Sequence, residues 1–263
     1  MSPLLQLYLD QFLTFVLVLT RLGSLLMTMP MLGTATVPLQ VRALIAVAIS
    51  LILTPLFWAQ PIPQPENLII LGTLLAREAI LGLALGLAVL ILLSGMQLAG
   101  QIVSQTSGMT LADVANPTFD TTTPLFSQIL EMLAIAIFFL AGGHRQVMDA
   151  LLRSFTWMPP GTGRLPDSAL EALAQITSQS FDVGIRAAAP VIVALLLATL
   201  VVALISRTLP QLNAVAVGLN FNSLMGLGIF ALCLGSAAWV FQNELETSID
   251  ALMESLAISK SFH

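Results

Sequence analysis

Residues 99–131 read AGQIVSQTSGMTLADVANPTFDTTTPLFSQILE, and here an otherwise membrane-like chain changes character. The approach is uncharged from Ala79 to Ala112, and the exit leads into another apolar run ending at Ala141. Between them lie Gln, Ser, Thr and Gly, then Asp113, Asn116-Pro117, Phe119, Asp120 and three threonines. No Lys or Arg occurs between Glu78 and His144. A polar but barely charged segment is a poor solvated loop. Irregular backbone at membrane depth is tolerated where it is buried in protein or lines a watery passage. The stretch therefore predicts a plug, a re-entrant element or a gate.

Composition sets the class. The 263 residues are 57% hydrophobic and 9% charged, with a mean hydropathy of +0.95. Soluble domains carry about 25% charged residues, so the chain reads as an all-α integral membrane protein of about six apolar helical segments. A net charge of −5 and a single lysine argue against nucleic-acid binding, which needs a basic face. The lone Cys233 excludes disulfides and cysteine-based metal sites. The N-terminal MSPLLQLYLDQFL lacks a basic n-region and a small-residue cleavage site, which predicts that the first apolar run is retained.

Working outward from the polar stretch, Phe12–Leu32 is long enough to span, since a crossing takes about 20 apolar residues. Arg21 sits near its middle. A second run, Ala43–Trp58, ends at Pro55 and a turn-rich PIPQPEN segment, with Trp58 as an interfacial anchor. A third helix begins near Leu68, and its Gly82 and Gly86 have the GxxxG spacing that lets helices approach closely. Thr123-Pro124 predicts an N-cap and first turn for a helix over Leu125–Ala141. Gly142-Gly143-His144 then predicts its C-cap, with the His at the negative helix end. Gln146 to Arg164 reads as a polar connector. Ser168 and Glu171 have capping-box spacing for the next helix, which Pro190 kinks rather than ends. The last apolar run, Ala214–Gln242, is interrupted near Asn220 and Asn222. It leads into an amphipathic acidic tail from Phe241.

Three ionisable groups sit inside or at the edge of apolar runs: Arg21, Glu78 and Glu131. Charges there are expensive and are either paired or functional. They predict a buried pair between Arg21 and a carboxylate, with a proton path through Glu78 and Glu131 as the alternative. Six crossings also fail the positive-inside rule, because three spans separate the Arg42 loop from the Arg145, Arg153 and Arg164 connector. Some apolar runs must then be covered by protein rather than lipid, which implies partner subunits. Two histidines, with no Ser-His-Asp or HExxH arrangement, leave no catalytic constellation and predict neither enzyme activity nor a cofactor. A competing reading is an ion- or small-molecule-coupled transporter, with broken helices near Asn116 and Asn220 forming a midplane site.

A collinear set of residues resembles one family. It comprises Arg21 with Pro30, Pro38 with Arg42, Glu78-Ala-Ile-Leu-Gly-Leu-Ala-Leu-Gly, Ala99-Gly100, and Gly108 with Asn116-Pro117. Glu131-Met-Leu, Gly143-His144, Ser154-Phe155, Pro190 and Arg207-Thr-Leu-Pro-Gln complete it. The set is similar to the FliR-type export-gate proteins of the bacterial flagellum, called SctT in the related injectisomes. That resemblance implies a non-catalytic subunit of the type III export gate in the inner membrane, within the flagellar basal body. It implies a FliP-like half over about residues 1–145 and a FliQ-like half over about 146–263. It also implies assembly in a helical ring with FliP-like and FliQ-like subunits, beside FlhA-like and FlhB-like components, around unfolded protein substrates. The family's plug maps onto Gly108, Met109, Leu111, Val114, Asn116, Pro117 and Phe119, an apolar seal bracketed by Asp113 and Asp120.

Overall fold

Leu68–Thr106 forms one 39-residue helix, the longest uninterrupted expression of the apolar run that precedes the polar stretch. The computed structural model describes residues 3–30, 37–58, 60, 62–108, 124–163, 167–208 and 214–258. Seven α-helices are present among these: α1 (Pro3–Thr28), α2 (Leu39–Leu53), α3 (Leu68–Thr106), α4 (Leu125–Leu140), α5 (Gly143–Trp157), α6 (Asp167–Thr208) and α7 (Ala214–Ile258). A 3-10 turn, Thr54–Phe57, closes α2. The described residues hold no strand. Five helices are long and apolar enough to cross a membrane, and the α4–α5 pair makes a sixth if taken as one broken span. The protein is thus an all-α membrane protein.

The helices group into two compact units. One comprises Met1–Ile91, Gly142–Ile176 and Thr247–His263; the other comprises Leu92–Ala141 and Thr177–Glu246. In the first, α1 buries Thr14, Leu17, Val18, Arg21, Leu22, Leu25 and Leu26. That spacing of three and four residues is one face of a helix. Its threonines keep their hydroxyls satisfied by donating back to the preceding turn, Thr14 Oγ1 to the Asp10 carbonyl at 2.7 Å and Thr20 Oγ1 to Val16 at 2.8 Å. Such back-bonding lets polar side chains sit in an apolar helix without an orphaned donor.

In the second unit, α3, α4, α6 and α7 meet through small residues. A Cβ at Gly95 would strike the Ser180 backbone, and one at Gly100 would strike the Ser127 backbone. Ser127 Oγ donates to the Gln97 carbonyl at 3.2 Å, and the Phe126 and Phe230 rings lie 4.6 Å apart. Without water to drive them together, membrane helices associate by such close packing and short polar contacts.

Several element boundaries differ from the sequence expectation. The cap of α4 is Pro124 itself, with no side-chain cap bond. Gly142, just past the Ala141 C-cap of α4, adopts a left-handed φ of 73° as the expected glycine stop, and it also serves as the residue before α5. Gly143 and His144 therefore open a new helix, which places His144 at a positive helix end, the opposite of the C-cap role. The expected connector from Gln146 is mostly helix, because Val147, Ala150, Leu151, Ser154 and Phe155 bury one face of α5. Helix α6 already includes Asp167, so the Ser168–Glu171 capping box is out of register by at least one residue. It continues through Pro190. Helix α7 is continuous through Asn220 and Asn222: the helix penalty of Asn is under about 1 kcal/mol, too small to break a 45-residue element.

A methyl group added at Gly142 would meet open space, but the backbone there has a conformation that L-residues disfavour. Gly142→Ala should therefore cost about 1–2 kcal/mol through φ alone, read as a lowered denaturation midpoint of the detergent-solubilised chain. Gly142→Asn, which tolerates that conformation, should cost less.

Candidate functional site

Arg21 and Glu78 are both fully buried in the first unit. They are held together because α3 can come unusually close to α1. Glu78, Gly82 and Gly86 are spaced by four and so share one face of α3. A Cβ at Gly82 would collide with Ser24 Oγ and the Arg21 carbonyl, and one at Gly86 with Thr28 Oγ1. The two glycines thus leave room for the α1 backbone one and two turns beyond the charged pair.

Each nitrogen of the Arg21 guanidinium and each oxygen of the Glu78 carboxylate has a partner. Arg21 Nε donates to Glu78 Oε2 at 2.5 Å. Its Nη1 donates to Ser154 Oγ at 3.1 Å and its Nη2 to the Met158 carbonyl at 3.0 Å. The guanidinium carbon lies 4.2 Å from the centroid of the Phe155 ring, a cation–π contact. Glu78 Oε1 accepts the Gly161 backbone N–H at 2.8 Å. Gly161 has φ 84°, and a Cβ at Gly163 would strike Leu81. The turn after α5 must therefore be glycine-rich to lay its backbone on the carboxylate. Phe155 also packs on Phe57, with centroids 5.0 Å apart, which joins the end of α2 to the cluster.

This arrangement clamps α1, α3, α5 and the following turn to one another. Each carboxylate oxygen of Glu78 accepts one hydrogen bond, one from the Arg21 guanidinium and one from the Gly161 amide. Glu131 lies on α4 in the second unit, half-buried, and makes no ion pair among the described residues. His144 is exposed, and no group of three or more metal-ligating side chains exists among the described residues.

Of the plug residues, only Gly108 is described. It closes α3 with φ 77°, and Ser107 N donates to the Val103 carbonyl at 2.9 Å. Met109, Leu111, Val114, Asn116, Pro117 and Phe119 lie outside the described residues, as do Asp113 and Asp120. At the root of this stretch Ser223 Oγ donates to the Ser107 carbonyl at 3.3 Å, so α7 holds the last turn of α3 within the second unit.

Sequence reasoning found Arg21 and Glu78 but missed the other half of the clamp. Ser154, the Met158 carbonyl and the Gly161 amide carry no membrane-charge signal. The hints were Ser154-Phe155 in the family-like set and the turn sequence Met158-Pro-Pro-Gly-Thr-Gly, whose glycines require a special backbone.

Residues 12–248 match the family model of bacterial export proteins, family 1. The chain belongs to that family. It is 30% identical to the flagellar biosynthetic protein FliR of Caulobacter vibrioides over 89% of its own length and 93% of that protein. It is 26% identical to FliR of Bacillus subtilis over 95% and 96% of the two chains. It is also 26% identical to the secretion system apparatus protein SsaT of Salmonella typhimurium over 59% and 60%. For this family-1 export protein, the arginine clamp is the best-defined polar site of the first unit.

Removing one member of a buried pair strands the other charge, which typically costs about 3–5 kcal/mol. Arg21→Leu and Glu78→Leu should each destabilise by roughly that much. The Arg21→Leu/Glu78→Leu double variant should lose clearly less than the sum. Thermal denaturation of the three variants in one detergent would measure this. Additive losses would mean that the two groups act separately.

Proposed function

We propose that this chain is a non-catalytic gate subunit of the flagellar type III protein export apparatus in the bacterial inner membrane. In this reading it joins FliP-like and FliQ-like subunits, next to FlhA-like and FlhB-like components in the basal body. Unfolded flagellar proteins would pass through the channel they form. Its first part would be FliP-like and its second FliQ-like.

The observation that carries this reading, beside family membership, is the length of apolar surface on single helices. Exposed apolar side chains occur on α6 at Leu170 and Phe181 as well as from Ile185 through Val193 and Leu200 to Ile205, with the exposed Asp182–Arg186 ion pair among them. Leu170 and Ile205 are about 53 Å apart at 1.5 Å per residue, against a hydrocarbon core about 30 Å thick. One bilayer cannot reach both, which supports cover by neighbouring helices. The FliR chains of Caulobacter vibrioides and Bacillus subtilis align with 89% and 95% of this chain, which supports the flagellar assignment.

Within that assembly, residues 108–119 would obstruct the passage. Gly108 and Asn116-Pro117 would set an irregular backbone, and Met109, Leu111, Val114 and Phe119 would form a pliable apolar seal. Substrate would displace this seal rather than react with it.

Native mass spectrometry of the tagged chain, extracted in mild detergent from cells expressing its own operon, tests the assembly. One copy within a complex of several small hydrophobic subunits is expected. A stable monomer or dimer with no partners would instead favour a transporter. Deleting Gly108 to Phe119 should raise ion conductance in membranes carrying the assembled complex. Unchanged conductance would remove this stretch from the gating account.

A further inference from the structure

Glu131 is the one ionisable group among the 16 residues of α4, and its own unit gives it no counter-charge. That unit holds two basic residues, Arg186 and Arg207. Arg186 is taken by Asp182 at 2.7 Å. Arg207 stands exposed in the last turn of α6. Among the described residues Glu131 makes no hydrogen bond or ion pair. It is nonetheless half-buried, and from Met132 to Ala141 no polar side chain follows it.

A helix face turned to water would carry polar groups on both turns around the carboxylate. Here the turn beyond Glu131 presents Ala134 and Ile135, three and four residues on. Lipid tails offer a carboxylate nothing, and an unpaired charge in hydrocarbon is expensive. The outer side chains of α4 point instead to a second helix. The face that packs within the unit carries Phe126, Ser127, Leu130, Ala134 and Phe138. On the opposite face Leu125, Met132 and Phe139 recur every seven residues, all exposed, with Gln128 and Ile135 three residues after the first two. Alternating steps of three and four make the seam along which a partner helix packs lengthwise. Glu131 flanks that seam, the place from which a carboxylate pairs with a basic side chain of the facing helix.

We propose that α4 is an interface helix. Its Glu131 forms an ion pair with an arginine or lysine on an apolar helix of a neighbouring subunit, and that helix packs along Leu125, Met132 and Phe139. The proposal rests on the reading of the chain as one subunit of a larger gate, and it adds where a neighbour binds and what charge it brings.

The test follows the complex purified from cells expressing the chain's own operon, with subunit loss in mild detergent timed by native mass spectrometry. Glu131→Gln, which keeps the shape and removes the charge, should speed loss of a neighbouring subunit about 30-fold. The isolated chain should melt at the same temperature with either residue, because the carboxylate has no partner within it. A lower melting temperature of the isolated variant would make the role internal and overturn the proposal. Glu131→Arg should prevent assembly, and reversing one basic residue in an apolar helix of the neighbour should restore it. A photo-reactive side chain at Met132 should cross-link to that same helix, whereas a lipid adduct alone overturns the proposal. In a Cys233→Ser background, Glu131→Cys should be shielded from a membrane-impermeant thiol reagent in the complex. Labelling there would place the position in water and likewise overturn it. Unchanged subunit loss in the Glu131→Gln complex overturns the pairing and leaves the gate reading standing, while a wild-type chain that never enters a complex removes both.

Discussion

The buried pair of Arg21 and Glu78 is the constraint on which the first unit depends. Two charges removed from water carry a penalty of several kcal/mol each, and their mutual attraction offsets it only when the remaining donors and acceptors are satisfied. Here the satisfaction comes from Ser154, the Met158 carbonyl and the Gly161 amide. The rest of the local design follows. Gly82 and Gly86 must be small so that α3 can approach α1. The turn after α5 must be glycine-rich so that its backbone can reach the carboxylate. Helix α5 must be amphipathic so that Ser154 and Phe155 face inward while Arg153 and Asp149 pair at the surface.

The second unit is built on a different principle. Its helices meet at Gly95, Gly100, Ser127 and Ser180, where the contacts are neutral hydroxyls, and its Asp182–Arg186 ion pair is exposed within α6. Neutral contacts of this kind are worth under about 1 kcal/mol on average in a membrane, against several for a clamp whose loss exposes a charge. The polar stretch after Gly108 is rooted in this more weakly tied unit. If that stretch obstructs a passage as proposed, this anchoring would let it yield more readily than a rigid ionic cluster would.

How much of this was legible in the sequence depended on where the information sits. Long apolar runs without charge gave the helices, because burial in lipid or protein leaves a compositional trace at every residue. Arg21 and Glu78 were legible as a problem needing a partner, yet nothing local chose Glu78 over Glu131. That choice is made by Gly82 and Gly86, which bring one face of α3, and not α4, against Arg21. Backbone partners such as the Met158 carbonyl have no residue signature at all. Terminal residues misled for a different reason: Ser168 with Glu171, and Thr123 before Pro124, offered reasonable caps. The helices began at neighbouring residues because caps contribute only about 1 kcal/mol, less than the packing that sets the register. The polar stretch was legible as a break in membrane character, and the residues expected to form its seal lie outside the described residues.

The clamp also has an order in time. Arg21 precedes Glu78 by 57 residues and Ser154 by 133. At about 5–20 residues per second, Glu78 is synthesised roughly 3–11 s after Arg21, and the serine roughly 7–27 s after it. An arginine at the centre of an entering helix costs about 2.5–3.5 kcal/mol at the insertion step. During biogenesis α1 therefore enters with its arginine unpaired, and the counter-charge is supplied only when α3 follows. The clamp is complete once Ser154 and the turn after α5 have been made.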